Sequence, residues 1–371
     1  MSNPIAIRSL LCDDHAKNIP PAVLTVIWNV TKRCNYDCGY CSPFIHDAVS
    51  PFVNLDNVSR FLDFCESHCG SDKQIQWMLT GGEPFLDPNF LTFLKLIRDK
   101  TFTKQIDVVS NGTLPLSKYQ QAQDYLDGLA ISLHFERSDQ EINNTVDKII
   151  ALSSHKTCYT NVTVMFLPGN TERILPVVER LKFHQIPYTV KKITPIDENY
   201  KNIKPYYQSD SGRKSIELKP VELQDKDRET WNILNFENSF NNMENYYSAE
   251  ESALINAMTE KPNALINAGV WFDDGSYREI NTIQLVSAHQ NNFKHWTCYA
   301  GVDSIYINWD GTIYRGMCTV GGPIGNINTG KDFVLVNPIK CKINQCFCTA
   351  DIAVRKCSNE INQKLITKNQ N

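Results

Sequence analysis

The amino-acid sequence predicts an α/β fold with a parallel sheet, and two observations carry this prediction. Between residues 23 and 195, short apolar stretches typical of buried strands alternate with stretches of helical periodicity. The chain has 371 residues and 42% hydrophobic content, which suffices for one large α/β domain or two smaller ones. Strands that alternate with helices favour parallel pairing through right-handed crossovers.

Six strands are predicted from this alternation, at residues 24–30, 74–80, 105–110, 128–134, 160–167 and 187–193. A helix is predicted over 54–69, where Val58, Phe61, Leu62 and Cys65 form an apolar stripe before Gly70. Periodicity does not distinguish an open sheet from a barrel. In both, functional side chains gather at the carboxyl ends of the strands, so the segments after each strand are the candidate site.

Three cysteines follow the first strand directly. Cys34, Cys38 and Cys41 are separated by three and two residues, so their thiolates can converge from one loop. Soft thiolate sulfur selects iron-sulfur clusters, zinc or Cu(I). Three ligands leave one iron of a four-iron cluster open, whereas a structural zinc site is closed by four. Only His46 lies near enough in sequence to be a fourth ligand, and zinc stays the alternative.

Polar or glycine-rich segments also follow the next three predicted strands. Thr80-Gly81-Gly82-Glu83-Pro84 follows strand two, Ser110-Asn111-Gly112-Thr113 follows strand three, and Ser132 and His134 end strand four. Each segment alone is compatible with an ordinary strand-to-helix turn or a rim residue. Their joint placement at one edge of the sheet favours a functional site. His134, Glu136, Lys191 and Lys192 are further candidates for substrate contacts or a proton donor.

The loop spacing, with Tyr40 before the last cysteine, resembles the signature loop of the radical S-adenosylmethionine (radical SAM) superfamily. The resemblance implies a partial (β/α)6 TIM-like barrel and a 4Fe-4S cluster on the catalytic ligands Cys34, Cys38 and Cys41. It also implies that S-adenosylmethionine binds the open iron and is cleaved to a 5'-deoxyadenosyl radical. An electron donor such as a flavodoxin or ferredoxin would supply the electron.

The same resemblance assigns cosubstrate contacts to the polar segments. Tyr40 would line the adenine, Glu83 would bind the methionine amino group, and the neighbouring glycines would let the backbone approach the ligand. The expected cosubstrate-binding residues are Tyr40, Gly81, Gly82, Glu83, Pro84, Ser110, Asn111, Gly112 and Ser132. Tyr40 as a core residue and Ser132 as a solvent-facing residue are the structural alternatives.

Six more cysteines lie near the end of the chain, around a predicted hairpin. Residues 304–309 and 312–315 form alternating runs joined by Asp310-Gly311. The cysteines are Cys298, Cys318, Cys341, Cys346, Cys348 and Cys357. A hairpin this small cannot form a hydrophobic core of its own. Bound metal therefore best explains why so many cysteines lie around it. Cys65, Cys69 and Cys158 are predicted to be packing or incidental residues instead.

This terminal arrangement resembles the SPASM or twitch extension of radical SAM enzymes, which carries auxiliary 4Fe-4S clusters. The gaps after Cys341 are four, one and eight residues, which departs from the pattern of a full SPASM module. We expect one auxiliary cluster on Cys298, Cys318 and two of the later four cysteines. Two clusters, one with an open iron, and a zinc knuckle are the alternatives.

These observations divide the chain into five predicted parts. They are an N-terminal extension over 1–19, a radical SAM core over 20–195, a connecting or substrate-recognition region over 196–296, a Cys-rich cluster domain over 297–360 and a polar tail over 361–371. In the third part, Ser248 and Glu251 predict a capped helix that ends before Pro262.

Composition excludes several partners. The net charge of −4 gives no general field for binding nucleic acid, and no apolar run is long enough to span a membrane. The N-terminus lacks the features of a signal peptide. The 13 cysteines are clustered rather than distributed as in a disulfide framework, so a cytoplasmic metalloprotein is predicted.

The sequence therefore predicts a radical SAM enzyme and leaves its substrate open. A peptide or protein side chain is the first expectation, because the resemblance includes an auxiliary-cluster extension. A small molecule such as a sugar or nucleotide is the second. A non-catalytic zinc or Fe-S interaction module is the alternative of another class, and the Gly-Gly-Glu-Pro and Ser-Asn-Gly-Thr segments argue against it.

Overall fold

A computed structural model describes residues 3–9, 23–41, 46–69, 73–193, 246–259, 267–329, 336–346 and 348–358. The strands are β1 (Pro4–Ser9), β2 (Val23–Asn29), β3 (Gln74–Thr80), β4 (Thr103–Ser110), β5 (Gly128–His134), β6 (Tyr159–Phe166), β7 (Tyr188–Lys192), β8 (Asn267–Phe272), β9 (Tyr277–Asn281), β10 (Thr297–Cys298), β11 (Ser304–Ile307), β12 (Thr312–Tyr314), β13 (Pro323–Asn326), β14 (Ile339–Lys340) and β15 (Lys356–Cys357). The helices are α1 (Leu55–Cys69), α2 (Phe90–Arg98), α3 (Leu116–Gln123), α4 (Asp139–Leu152), α5 (Thr171–Phe183), α6 (Ala249–Thr259), α7 (Thr282–Ser287) and α8 (Thr349–Ala353).

The main sheet confirms the predicted α/β fold. It has nine strands in the order β13-β12-β11-β2-β3-β4-β5-β6-β7, and the strands from β11 to β7 are parallel. All six predicted strands are present as β2 to β7, with ends that differ by at most two residues. The sheet is consistent with a partial barrel and is not closed, because β13 and β7 are its two edges.

The main sheet has one apolar face, which packs against the helices. Trp28 on β2 contacts Phe61 of α1 and Phe93 of α2 edge to face, and Trp77 on β3 lies beside it. Alternate strand residues belong to this core, so the residues between them point to the other side. We call that other side the inner face. It carries polar side chains such as Gln76 and thus provides the lining of a site.

The predicted hairpin forms, but it belongs to the main sheet. β11 pairs in parallel with β2, with Ser304 opposite Thr25, and Ile305 and Ile307 are buried in the main core. β12 and β13 extend this edge in antiparallel fashion. The hairpin therefore shares the core of the main sheet, and the predicted Cys-rich domain remains a prediction. The physical reason is that its isoleucines find a core already formed by β2 and its helices.

A second sheet has six strands in the order β14-β10-β15-β1-β8-β9, all antiparallel. It joins the N-terminal strand β1 to segments from the last third of the chain, and Ile7, Val270 and Phe293 are part of its core. The predicted domain limits remain predictions, but the pairing of both sheets crosses them. Helix α6 has the predicted capping box, in which Ser248 and Glu251 exchange hydrogen bonds.

Several expectations lie outside the described residues, including most of the N-terminal extension, residues 194–245 and the tail from 359. Among the helices of the described ranges, none combines the length and the apolar character needed to cross a bilayer. Cys65 and Cys158 are buried in the main core, as predicted. The side chain of Cys69 is not among those described.

Candidate active site

The cysteine loop starts at the carboxyl end of β2 and is fastened at its base. The amide of Cys34 donates to the carbonyl oxygen of Asp47 at 2.8 Å. The amide of Asp47 donates to the carbonyl oxygen of Lys32 at 2.8 Å. The Arg33 guanidinium donates to the carbonyl oxygens of Ser50 and Val49, both at 3.0 Å. These hydrogen bonds hold the two ends of the loop together without a bound ligand.

Further contacts hold the loop, one within the loop segment and two from residues that follow β5. The ring Nε2 of His46 donates to the carbonyl oxygen of Tyr36, so this nitrogen is engaged and not presented as a fourth metal ligand. The amide of Gly39 donates to the Glu136 carboxylate at 3.1 Å. Arg137 forms an ion pair with Asp37 at 2.7 Å. No local sequence pattern predicts the ion pair between Asp37 and Arg137, because the two residues lie on separate segments.

The thiols of this loop fit an iron-sulfur cluster. Burial raises the pKa of Cys34 to about 11 and that of Cys38 to about 12. Such thiols become thiolates only when a cation such as iron compensates the charge. The amide of Tyr36 lies 3.4 Å from the Cys34 sulfur and the Asn111 side-chain nitrogen lies 3.8 Å from it. Both donors favour the thiolate form.

The arrangement differs from that of a single-ion site. Within the described ranges, no group of three or more His, Cys, Asp or Glu side chains is close enough to hold one metal ion. In a four-iron cluster each cysteine binds a different iron, so the sulfurs lie farther apart than around one zinc ion. The donor set therefore fits a cluster better than it fits zinc.

Gly81 and Gly82 let the end of β3 lie against the cysteine loop. The Gly82 amide donates to the carbonyl oxygen of Thr31 at 2.7 Å, and the Glu83 amide donates to that of Arg33 at 2.9 Å. A Cβ on Gly81 would lie 2.3 Å from the Thr31 oxygen, and one on Gly82 would lie 2.3 Å from the Arg33 oxygen. The close approach that these glycines permit is thus to the loop backbone. Their predicted contact with the cosubstrate remains a prediction.

Glu83 is fully buried and its carboxylate is used within the protein. The Ser110 hydroxyl donates to both oxygens at 2.9 and 3.0 Å, and the amides of Asn111 and Phe85 donate at 2.7 and 3.1 Å. Burial raises the pKa of Glu83 to about 7, against the lowering effect of these donors. As placed, Glu83 links the ends of β3 and β4, a role that the sequence did not predict. Pro84 begins a buried 3-10 turn next to it.

The Ser110-Asn111-Gly112-Thr113 turn also supports the cysteine loop. The Asn111 side-chain nitrogen donates to the side-chain oxygen of Asn35 at 2.9 Å, and Asn35 donates to Thr113 at 2.8 Å. Gly112 has a φ of +72°, and a Cβ there would lie 2.7 Å from Ile131. The ribose contacts expected of this segment remain predictions. The structure shows direct hydrogen bonds between the turn after β4 and the cysteine loop.

His134, at the end of β5, contacts two loop residues through Nδ1. This nitrogen lies 2.6 Å from the Tyr40 hydroxyl and 3.4 Å from the Cys38 sulfur, and the Tyr40 and His134 rings are stacked. Burial and the charges of Arg137 and Lys191 lower the pKa of His134 to about 4. The imidazole is therefore neutral near pH 7, and Nδ1 accepts the tyrosine hydroxyl hydrogen. Tyr40 is accordingly held in place before any adenine binds.

A small cleft opens beside this group. It is lined by Tyr36, Asn111, Ser132, His134, Arg137 and Thr145. Two of the predicted cosubstrate residues, Ser132 and Asn111, thus share one cavity with the cysteine loop. Their contacts with a nucleoside remain predictions.

Lys191 lies on the inner face at the same edge of the sheet. His134 pairs with Met165, and Met165 pairs with Lys191, so the three side chains form one row. Burial lowers the pKa of Lys191, while charges on Cys348 and Cys41 act to raise it. Within the described ranges, no carboxylate lies at ion-pair distance from Lys191. The amino group of Lys191 therefore faces the region next to the cysteine loop.

Four of the six terminal cysteines form one group. Burial raises the pKa of Cys318 and Cys346 well above that of an ordinary thiol, and charges on Cys341 contribute to both shifts. A charge on Cys298 likewise raises the pKa of Cys341 and of Cys318. Cys341 and Cys346 also pack against the core of the second sheet. We call these residues the four-cysteine group: Cys298, Cys318, Cys341 and Cys346.

The other two predicted metal ligands are placed differently, although a charge on Cys298 also acts on Cys357. Cys357 pairs with Thr297 while Lys356 pairs with Cys298, so Cys357 points to the opposite face of the second sheet from Cys298. Cys348 packs near Tyr306 and Tyr314, with its sulfur 3.2 Å from that of Met317. Strand alternation and separate packing thus distinguish these two cysteines from the other four, and metal binding by any of the six remains a prediction.

Comparisons with known proteins agree with this geometry. The family model of the Radical SAM superfamily matches residues 28–207. Residues 28–207 form a radical SAM domain. This confirms the superfamily predicted from the cysteine loop. The matched segment contains the loop and every predicted cosubstrate residue.

Curated relatives of the radical SAM domain are enzymes. The S-adenosylmethionine-dependent nucleotide dehydratase of Siniperca chuatsi is 32% identical over 136 residues, which cover 35% of this chain and 36% of the relative. GTP 3',8-cyclase of Campylobacter jejuni is 33% identical over 87 residues, covering 23% and 27%. The chain thus spans about a third or less of the length of these relatives. The predicted enzyme class is confirmed at the level of the family.

Two solved structures show a weak similarity that extends over most of the chain. Streptococcus suis SuiB bound to S-adenosylmethionine is 14% identical, with a TM-score of 0.44 over 84% of this chain and 66% of that one. BtrN in complex with AdoMet and 2-DOIA is 9% identical, with a TM-score of 0.39 over 84% and 81%.

Proposed function

We propose that this protein reductively cleaves S-adenosylmethionine at a 4Fe-4S cluster held by Cys34, Cys38 and Cys41. The single observation that carries the proposal is the fastened loop inside a radical SAM domain, with Cys38 buried and N–H donors at the Cys34 sulfur. When bound, such a cluster supplies the electron that cleaves the cosubstrate, and the resulting 5'-deoxyadenosyl radical takes a hydrogen atom from a substrate.

The protein's own residues prepare this site in three ways. Gly81 and Gly82 let β3 approach the loop, and Asn111 positions Cys34 through its side-chain amide. His134 holds Tyr40 beside the loop.

Replacing Cys34, Cys38 or Cys41 with alanine is expected to abolish formation of 5'-deoxyadenosine and to remove about four irons per chain. The measurement is product formation from S-adenosylmethionine with dithionite as reductant, alongside iron analysis of anaerobic protein. Cys158→Ala is the matched control, because this buried cysteine lies in the main core and not on the loop. A folded loop variant that still cleaves the cosubstrate would refute the proposal.

We also propose one auxiliary 4Fe-4S cluster on the four-cysteine group. The support is the shared location of Cys298, Cys318, Cys341 and Cys346, which supplies the four thiolates of a fully ligated cluster. This specifies which two later cysteines join Cys298 and Cys318. A second auxiliary cluster has less support, since Cys348 and Cys357 are placed differently from the group. Wild-type protein should then contain roughly eight irons per chain.

Two substrate classes follow from this architecture. A peptide or protein side chain was the first expectation from sequence, and the auxiliary cluster is its support. One observation favours a small anionic substrate such as a nucleotide: Lys191 faces the inner side of the sheet near the loop with no described carboxylate partner. The curated relatives named for nucleotide and GTP chemistry point in the same direction. We therefore propose a substrate with a phosphate or carboxylate group that Lys191 binds.

Lys191→Met is expected to raise the substrate concentration required for half-maximal turnover by about tenfold or more, since a hydrogen bond to a charged group contributes about 1.5–3 kcal/mol. The assay tests which of the four ribonucleoside triphosphates stimulates 5'-deoxyadenosine formation. Lys192→Met is the matched control, because this neighbouring ammonium points to the other side and lies 5.7 Å from the Tyr247 ring. Stimulation by short peptides and by no nucleotide would instead support the peptide class.

A further inference from the structure

Lys356 is a buried cation with an unusual set of partners. Its side chain is 2% exposed. Its ammonium donates to the backbone carbonyl oxygens of Asp351, of Ile352 at 3.4 Å and of Val354 at 3.1 Å, at the end of helix α8. A neutral amine has only two N–H groups, so three carbonyl acceptors require the protonated form. Lys356 therefore carries a full positive charge inside the protein.

This charge has no carboxylate partner at ion-pair distance within the described ranges. A buried charge is costly unless another charge compensates it. The carbonyl oxygens at a helix C-terminus provide part of the compensation through their partial negative charge. The backbone acceptors carry no net charge, however, and a full counter-charge is still required.

The four-cysteine group is one source of that counter-charge, beside the buried carboxylate of Asp351. Lys356 pairs with Cys298 across β15 and β10, so the two side chains share one face of the second sheet. Cys346 and Cys341 also lie within electrostatic range of the ammonium, as does the carboxylate of Asp351. Three of the four cysteines thus act on the ammonium.

We propose that Lys356 is the built-in counter-cation of the auxiliary iron-sulfur cluster and raises the reduction potential of that cluster. The inference rests on the auxiliary cluster of the proposed function. A cluster bound by four thiolates is anionic, and one-electron reduction adds a further negative charge. A fixed positive charge nearby stabilises the reduced form more than the oxidised form, because net charge and hydrogen bonding set such potentials.

The experiment is a redox titration of the full chain, reconstituted anaerobically, followed by EPR with dithionite as reductant. Lys356→Met keeps the length of the side chain and removes its charge. We expect its auxiliary cluster to be reduced about tenfold less readily, which corresponds to a potential lower by about 59 mV for a one-electron couple. The signal that shifts on addition of S-adenosylmethionine belongs to the loop cluster and serves as an internal reference. That signal should titrate as in wild type.

Two further variants separate charge from structure. Lys340→Met removes an exposed lysine on the neighbouring strand β14, whose ammonium lies 3.0 Å from the Thr297 hydroxyl, and should leave the potential unchanged. Lys356→Arg keeps the charge and should retain the wild-type potential. If Lys356→Met fails to take up auxiliary iron while Lys356→Arg takes it up, the counter-cation role is supported.

Three results would overturn the inference. The first is an unchanged potential in Lys356→Met with full iron content. The second is an equal shift in Lys356→Arg, which would mean that geometry and not charge is responsible. The third is wild-type protein with only the loop cluster, about four irons per chain. That last result would overturn the auxiliary cluster as well, and iron analysis distinguishes it from the other two.

Discussion

Gly82→Ala is expected to displace the cysteine loop and remove its iron. The added Cβ would lie 2.3 Å from the carbonyl oxygen of Arg33 and 2.4 Å from that of Lys32, and both atoms are backbone that no rotamer change can move away. The segment must shift, which breaks the hydrogen bond from the Glu83 amide to Arg33. Forced overpacking of this kind typically costs about 1–3 kcal/mol, and the lost hydrogen bond adds about 1 kcal/mol.

Chemical denaturation of the apo protein and iron analysis after reconstitution measure this effect. Gly169→Ala is the control: its φ is +75° and no atom lies within 4 Å of the added carbon, so only backbone strain applies. That strain should cost about 1–2 kcal/mol and leave iron content unchanged. Full iron loading in Gly82→Ala would show that the loop tolerates the displacement, contrary to this prediction.

Glu83→Ala is expected to destabilise the protein by about 3 kcal/mol or more. The Ser110 hydroxyl and the amides of Asn111 and Phe85 would lose their buried acceptor, and each unsatisfied donor costs about 1–3 kcal/mol. Glu66→Ala is the matched control, because this carboxylate pairs with Lys100 at the surface and is 55% exposed. Its removal should cost less than about 1 kcal/mol.

Glu83 also predicts the sign of a pH dependence. Burial raises its pKa from 4.5 to about 7 in the folded protein. Between these values the folded state keeps a proton that the unfolded state has released, so stability falls as pH rises through this window. The total change is on the order of 3 kcal/mol. Denaturation of wild type and Glu83→Gln at several pH values tests this. The glutamine variant cannot titrate, and an equal slope in both proteins would exclude Glu83 as the source.

Local patterns in the sequence were sufficient for the strands and for the loop. The six strands of the radical SAM domain, the capped helix after Ser248 and the Asp310-Gly311 hairpin each have a signal within a few neighbouring residues. Cys34, Cys38 and Cys41 were predicted from spacing alone. Their supporting contacts were not, because Asn35, Glu136 and His46 act through partners that are distant in sequence or through backbone atoms.

Long-range pairing explains the remaining differences. Strand β1 joins β8 and β15, and β11 joins β2, and no local periodicity encodes these partners. The division of the terminal cysteines also depends on pairing. Only the register of β10 and β15 shows that Cys298 and Lys356 share a face and that Cys357 does not. Cysteine spacing alone therefore does not encode which of these side chains share a face.

The pairing of β11 with β2 also constrains the order of biosynthesis. Thr25 leaves the ribosome early, whereas its partner Ser304 is translated only near the end of the chain. Until then the edge of β2, which leads into the cysteine loop, presents unpaired backbone groups that can join a foreign strand. Such distant pairing slows folding. We therefore expect the β2 edge to be most prone to aggregation before the hairpin has been translated.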